Sequence, residues 1–86
     1  MESLRPLEVE ALRIVARASG KYDWYRLERI LPIHEYPLEN QNTVAILRRL
    51  HEVGFIKPVE GTEDRGGLGP FYAVTDAGYA LLKQVA

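Results

Sequence analysis

The feature that most narrows the fold of this chain is a change of hydrophobic period at Gly54. Before it, apolar residues recur every three or four positions, the spacing of helices that each bury one stripe. After it come two short runs rich in β-branched and aromatic residues, separated by a glycine-rich polar segment. From Thr75 the helical spacing returns. Such a pattern calls for helices packed on one another with one hairpin closed against them, a mainly α fold with a small β-hairpin. With 86 residues there is room for one core, so residues 1–86 read as a single domain. The chain contains no cysteine, which removes disulfides and thiolate metal sites as staples.

The first helix is expected over about 6–19. Leu4, Leu7, Ala11, Leu12, Ile14, Val15 and Ala18 form its buried stripe, and Glu8 and Glu10 sit in the first turn, where the helix dipole favours anions. Pro6 suits that first turn and Gly20 a left-handed residue just past the end. Lys21-Tyr22 reads as a short extended link. Asp23 then caps a second helix over about 24–31, with Trp24, Leu27, Ile30 and Leu31 inward and Pro32 as its stop.

A connector with Pro32 and Pro37 near its ends leads to a third helix over about 40–53. Asn40 is the expected cap and Gly54 the terminating residue. Thr43, Ile46, Leu47, Leu50 and Val53 should face the core, leaving Gln41, Asn42, Ala45, Arg48, Arg49 and Glu52 outside. Strands are expected over about 55–60 and 70–75. Pro58 lacks the N–H that a central strand needs, which puts the first strand at an edge. Thr75 caps a last helix over about 76–85, with Leu81, Leu82 and Val85 as its apolar stripe.

Helix, helix, helix, hairpin, helix is the order of a winged helix-turn-helix. The residues also resemble a family. Leu47-Arg-Arg-Leu-His-Glu-Val-Gly-Phe-Ile56 looks like the end of a recognition helix leading into a wing. Gly66-Gly-Leu-Gly-Pro-Phe-Tyr-Ala-Val-Thr-Asp-Ala-Gly-Tyr-Ala-Leu-Leu82 looks like the wing and the helix behind it. Both are similar to the PadR-like, and more distantly the MarR-like, bacterial transcription regulators, whose wing runs into a Tyr-x-Leu-Thr-x-Ala-Gly pattern. The resemblance spans roughly residues 6–86, and the longer connector before the third helix favours the PadR-like side. It implies a transcription regulator that binds double-stranded DNA as a dimer, without a cofactor; a cytoplasmic location is the default expectation for a chain without cysteine or a secretory signal.

In a helix-turn-helix, the first residues of the second helix of the motif meet base edges in the major groove. Here these are Asn40, Gln41 and Asn42, with Val44 and Ala45 one turn on. Asn and Gln pair with adenine, and small apolar groups meet the thymine methyl. Arg48 and Arg49 follow, at phosphate distance, and Arg65 is the one basic residue of the wing loop, beside Glu60, Glu63 and Asp64. A positive stripe joining Arg48, Arg49 and Arg65 is what DNA binding would need.

The charge balance weighs against a basic coat. Eleven Lys plus Arg face twelve Asp plus Glu, a net charge of −1. The acidic wing and surplus aromatics support an alternative, a winged-helix protein–protein interaction module that does not bind DNA. Its interface candidates are Leu4, Leu7, Tyr25, Tyr36, Phe71 and Tyr79, of which Leu4, Leu7 and the last helix also serve a compact homodimer.

Catalysis and membrane insertion have little in their favour. His34 and His51 stand in a connector and on a helix without the acidic spacing of a triad or a metal site, and no metal ligand set is expected. The N-terminus has no basic region followed by an apolar run, and no apolar stretch approaches the ~20 residues that span a bilayer. The expectation is a non-enzyme with no membrane partner.

Overall fold

In the computed structural model, which describes residues 4–32, 35, 42–62 and 69–85, the first helix is α1 (Pro6–Arg17). It ends before the expected residue 19, and Ala18 rather than Ser19 caps it. Tertiary bonding claims the next residues. The Ser19 hydroxyl accepts the Val74 N–H at 2.9 Å, and the Gly20 N–H donates to the Tyr72 carbonyl at 2.8 Å. Gly20 reaches that position with φ +88°, beyond the cap residue expected of it.

The second helix, α2 (Trp24–Ile30), is capped by Asp23, whose Oδ1 accepts the Arg26 N–H at 2.8 Å. Leu27 and Leu31 are buried, but Ile30, expected inward, is 48% exposed at the helix end.

The third helix, α3 (Thr43–Glu52), starts later than 40, and its cap is Asn42 rather than Asn40. Asn42 Oδ1 accepts the Ala45 N–H at 2.7 Å, while its carbonyl accepts the Ile46 N–H. A start at this point sets Thr43, Ile46, Leu47 and Leu50 on the buried face, as their spacing requires. Asn40 and Gln41 lie outside the described residues. Gly54 closes α3 with φ +85°: its N–H donates to His51 O and the Phe55 N–H to Leu50 O, the paired bonds of a left-handed helix terminus.

Two short strands, β1 (Ile56–Pro58) and β2 (Tyr72–Val74), pair antiparallel with Ile56 opposite Val74 and Pro58 opposite Tyr72. Hydrogen bonds carry the pairing one residue further at each end, Val59 N–H to Phe71 O and Thr75 N–H to Phe55 O. That alternation turns the Pro58 nitrogen away from β2, where its missing N–H costs nothing and blunts the open edge. The other edge of β2 is covered, since the Tyr72 N–H donates to Tyr22 O at 2.8 Å. The extended link at Tyr22 thus completes the sheet.

The last helix, α4 (Asp76–Val85), begins under a hydroxyl with two tasks. Thr75 Oγ1 accepts the Gly78 N–H at 3.2 Å and donates to Gly54 O at 2.6 Å, locking the start of α4 to the end of α3. Gly78 is the one fully enclosed residue of α4. A Cβ there would collide with the Phe55 carbonyl oxygen and sit 2.7 Å from Val74 Cγ1. The expected apolar stripe is only partly inside: Leu81 and Leu82 are half-buried and Val85 is 41% exposed.

The core gathers Leu7, Leu12 and Val15 of α1, Leu27 of α2, and Ile46 and Leu50 of α3, with Ile56 and Val74 closing it from the hairpin. Each such side chain stabilises the fold by about 1.5–3 kcal/mol relative to exposure. Leu7 is wholly inside this core and presents no surface, so it cannot serve the interface expected of it. Among the described residues, then, the chain is mainly helical, with four helices and one two-stranded antiparallel hairpin.

Candidate functional site

The inner face of α3 packs on α1, α2 and β1, which leaves its outer face open. That face carries Val44, Ala45, Arg48, His51 and Glu52, all exposed. Asn42 is exposed as well, but its Oδ1 is spent on the cap, so its amide no longer offers a free donor–acceptor pair.

Arg49 departs from the expected outer position. Its Nε lies 3.5 Å from Oε2 of Glu8, a carboxylate that is 1% exposed, and the pair ties α3 to α1. The other Glu8 oxygen accepts the Arg5 N–H at 2.8 Å, which secures the N-terminus of α1. Of the stripe Arg48–Arg49–Arg65, Arg48 alone projects freely from α3, and Arg65 lies outside the described residues with Glu63 and Asp64.

Beside the outer face runs a shallow depression between α2, α3 and the start of β2. One lobe, of about 310 Å³, is lined by Trp24, Glu28, Asn42, Val44, Ala45 and Arg48. Thr43 also borders it and is almost wholly buried, and its hydroxyl has no hydrogen-bond partner among the described residues. A second lobe, of about 290 Å³, shares Trp24, Val44 and Arg48 and extends to His51, Pro70 and Tyr72. Gly69 approaches closely there: a Cβ on it would meet Trp24 Cδ1 at 3.5 Å. Trp24, expected inward, and Tyr72 are half-buried walls of this depression that still pack on the core behind. Burial raises the Tyr72 phenol above its usual pKa.

The aromatic interface candidates separate. Tyr25 is 42% exposed, meets Trp24 edge to face, and accepts a 2.9 Å hydrogen bond from Arg29. Phe71 is half-buried under the Arg26 guanidinium, 5.8 Å from the ring centre. Tyr79 is 40% exposed on α4, and Leu4 packs partly on the core. Tyr36 and His34 lie outside the described residues.

The Glu8–Arg49 pair had a signal in the sequence, and the depression beside Trp24 and Val44 did not. Glu8 falls on the Leu4–Leu12 line of the α1 stripe, and a charge on an apolar stripe needs a partner. Trp24 and Val44 are near neighbours only through the α2–α3 packing, which no local spacing reveals.

Among the described residues no group of three or more His, Asp or Glu side chains is placed to hold a metal ion. None of the described helices is long and apolar enough to cross a membrane. No protein-family model matches the chain, and no curated protein matches it either.

Proposed function

We propose that this chain is a small winged helix-turn-helix domain, PadR-like in pattern, that binds double-stranded DNA with the outer face of α3 in the major groove and so regulates transcription. The observation that carries the reading is the division of labour on α3. Its inner residues complete the core, while Val44, Ala45, Arg48 and His51 are exposed on the opposite side. A helix of this diameter fits the major groove, and an arginine one turn past the small residues is placed for a phosphate or a guanine edge. The β1–β2 hairpin directly after α3 is where a wing would lie.

Binding of this kind is weak without sequence matching, because the charge available is modest. Arg49 is engaged with Glu8, and Glu28 and Glu52 lie near Arg48. The test is fluorescence anisotropy of a labelled mixed-sequence duplex at low salt. Micromolar binding that weakens with added salt is expected, and Arg48→Ala should make the log–log salt slope shallower by about one. No binding, or binding that Arg48→Ala leaves untouched, rejects the reading.

A protein-interaction module is the second reading, favoured by Tyr25 and Ile30, two large apolar residues exposed on α2. It predicts partner capture that Tyr25→Ala with Ile30→Ala abolishes and Arg48→Ala does not.

A further inference from the structure

The first lobe of the depression carries two opposite charges that do not pair. Glu28 stands on its α2 wall and Arg48 on its α3 wall, both exposed. Among the described residues neither side chain has an ion-pair partner, in the other or in any third group. Each lies one turn from an apolar side chain of its own helix, Glu28 from Trp24 and Arg48 from Val44. The two walls thus repeat one pattern, an apolar residue beside a charge. Thr43, on the border of the lobe, is almost wholly buried, and its hydroxyl has no hydrogen-bond partner among the described residues. An orphaned hydroxyl at the edge of a cavity marks a place where a polar partner is missing. The volume of about 310 Å³ falls at the small end of ligand cavities, roughly 300–1,000 Å³.

Charge selects the occupant. A simple anion gains Arg48 but is repelled by Glu28, and a simple cation meets the reverse. A small zwitterion satisfies both groups at once, and the Trp24 and Val44 surfaces call for a hydrocarbon part beside its charges. We propose that this lobe binds a free α-amino acid with a branched apolar side chain. Its ammonium lies on Glu28, its carboxylate on Arg48, and its side chain against Trp24 and Val44. A guanidinium takes a carboxylate through two parallel N–H donors, and an indole face next to an acid suits an ammonium. The site goes beyond the duplex reading and does not depend on it. Both charged groups are open to water, so each contributes modestly, about fivefold in affinity.

Trp24 is the single tryptophan of the chain, so its emission reports occupancy of the lobe. The experiment titrates the full chain at neutral pH with three probes, and follows amide shifts by NMR as a second readout. The probes are L-leucine, isocaproate (leucine without its ammonium) and isopentylamine (leucine without its carboxylate). Leucine should bind saturably, and each analogue about fivefold more weakly. Glu28→Gln should remove the advantage of leucine over isocaproate, and Arg48→Gln its advantage over isopentylamine. Both are surface substitutions, and an unchanged thermal melt documents that the fold is kept. No saturable change at tens of millimolar leucine, in Trp24 emission or in the amides of Val44 and Arg48, overturns the site. Equal binding of the three probes, or advantages that survive the substitutions, overturns it as well. No DNA is present in the titration, so these failures leave the duplex reading standing.

Discussion

Arg49 sets its Nε 3.5 Å from Glu8 Oε2, and this one contact separates the roles of two adjacent arginines. Arg49 is turned back onto α1, whereas Arg48 is left to the solvent and to whatever α3 meets. The Glu8 carboxylate is almost fully enclosed, so its charge is tolerable only with a cation beside it. Arg49 is partly exposed, which lets water screen the pair and lowers its worth below that of a fully buried one.

Arg49→Ala should therefore destabilise the domain by about 1–3 kcal/mol, the cost of leaving an enclosed polar group without its partner. Arg48→Ala should stay within about 0.5 kcal/mol, as a surface substitution does. Urea unfolding midpoints of the two variants check this. Equal midpoints would mean that the ion pair contributes nothing.

Gly78→Ala sets two effects against each other. Alanine is the better helix former by roughly 1 kcal/mol, yet its Cβ would strike the Phe55 carbonyl and Val74. A collision with backbone is hard to relieve, so the net result should be a loss of about 1–3 kcal/mol. A melting temperature equal to or above that of the wild type would show that α4 can shift away at little cost.

The Thr75 hydroxyl serves α3 and α4 together. Thr75→Ala should cost about 1–2 kcal/mol through the lost cap, and Thr75→Ser should recover most of it. Hydrogen exchange should show the loss first in the amides of the opening turn of α4. If Ser and Ala behave alike, the threonine methyl rather than its hydroxyl matters.

Alkaline stability follows from Tyr72. Burial raises its pKa in the folded chain, so above about pH 10 the unfolded form loses the phenolic proton while the folded form still holds it. Fewer protons on the unfolded state means that stability falls as pH rises through that range. Tyr72→Phe should flatten this part of the stability–pH curve and leave the neutral region parallel to the wild type. Parallel curves at every pH would show that Tyr72 carries none of the alkaline loss.

The helices and hairpin were legible because their signals are local. The switch of period at Gly54, the caps Asp23 and Thr75, and the stop at Gly54 all act within a turn of their own residues. The α1 terminus and the α3 start were misplaced for different reasons. Ser19 and Gly20 are drawn off by β2, far along the chain, whereas Asn40 and Asn42 are equal candidates by type and only the phase of the buried stripe separates them. At the candidate site, the outward position of Arg48 could be read from helical spacing. The retreat of Arg49 could not, because it depends on Glu8 arriving from another helix.

Titrating the isotope-labelled chain with a short mixed-sequence duplex and following amide shifts by NMR decides whether the outer face of α3 meets duplex DNA. The largest changes are expected at Val44, Ala45, Arg48 and His51, with α4 beyond its first turn unmoved. Shifts centred on Tyr25 and Ile30 or on α4, or no shifts at all, would contradict it.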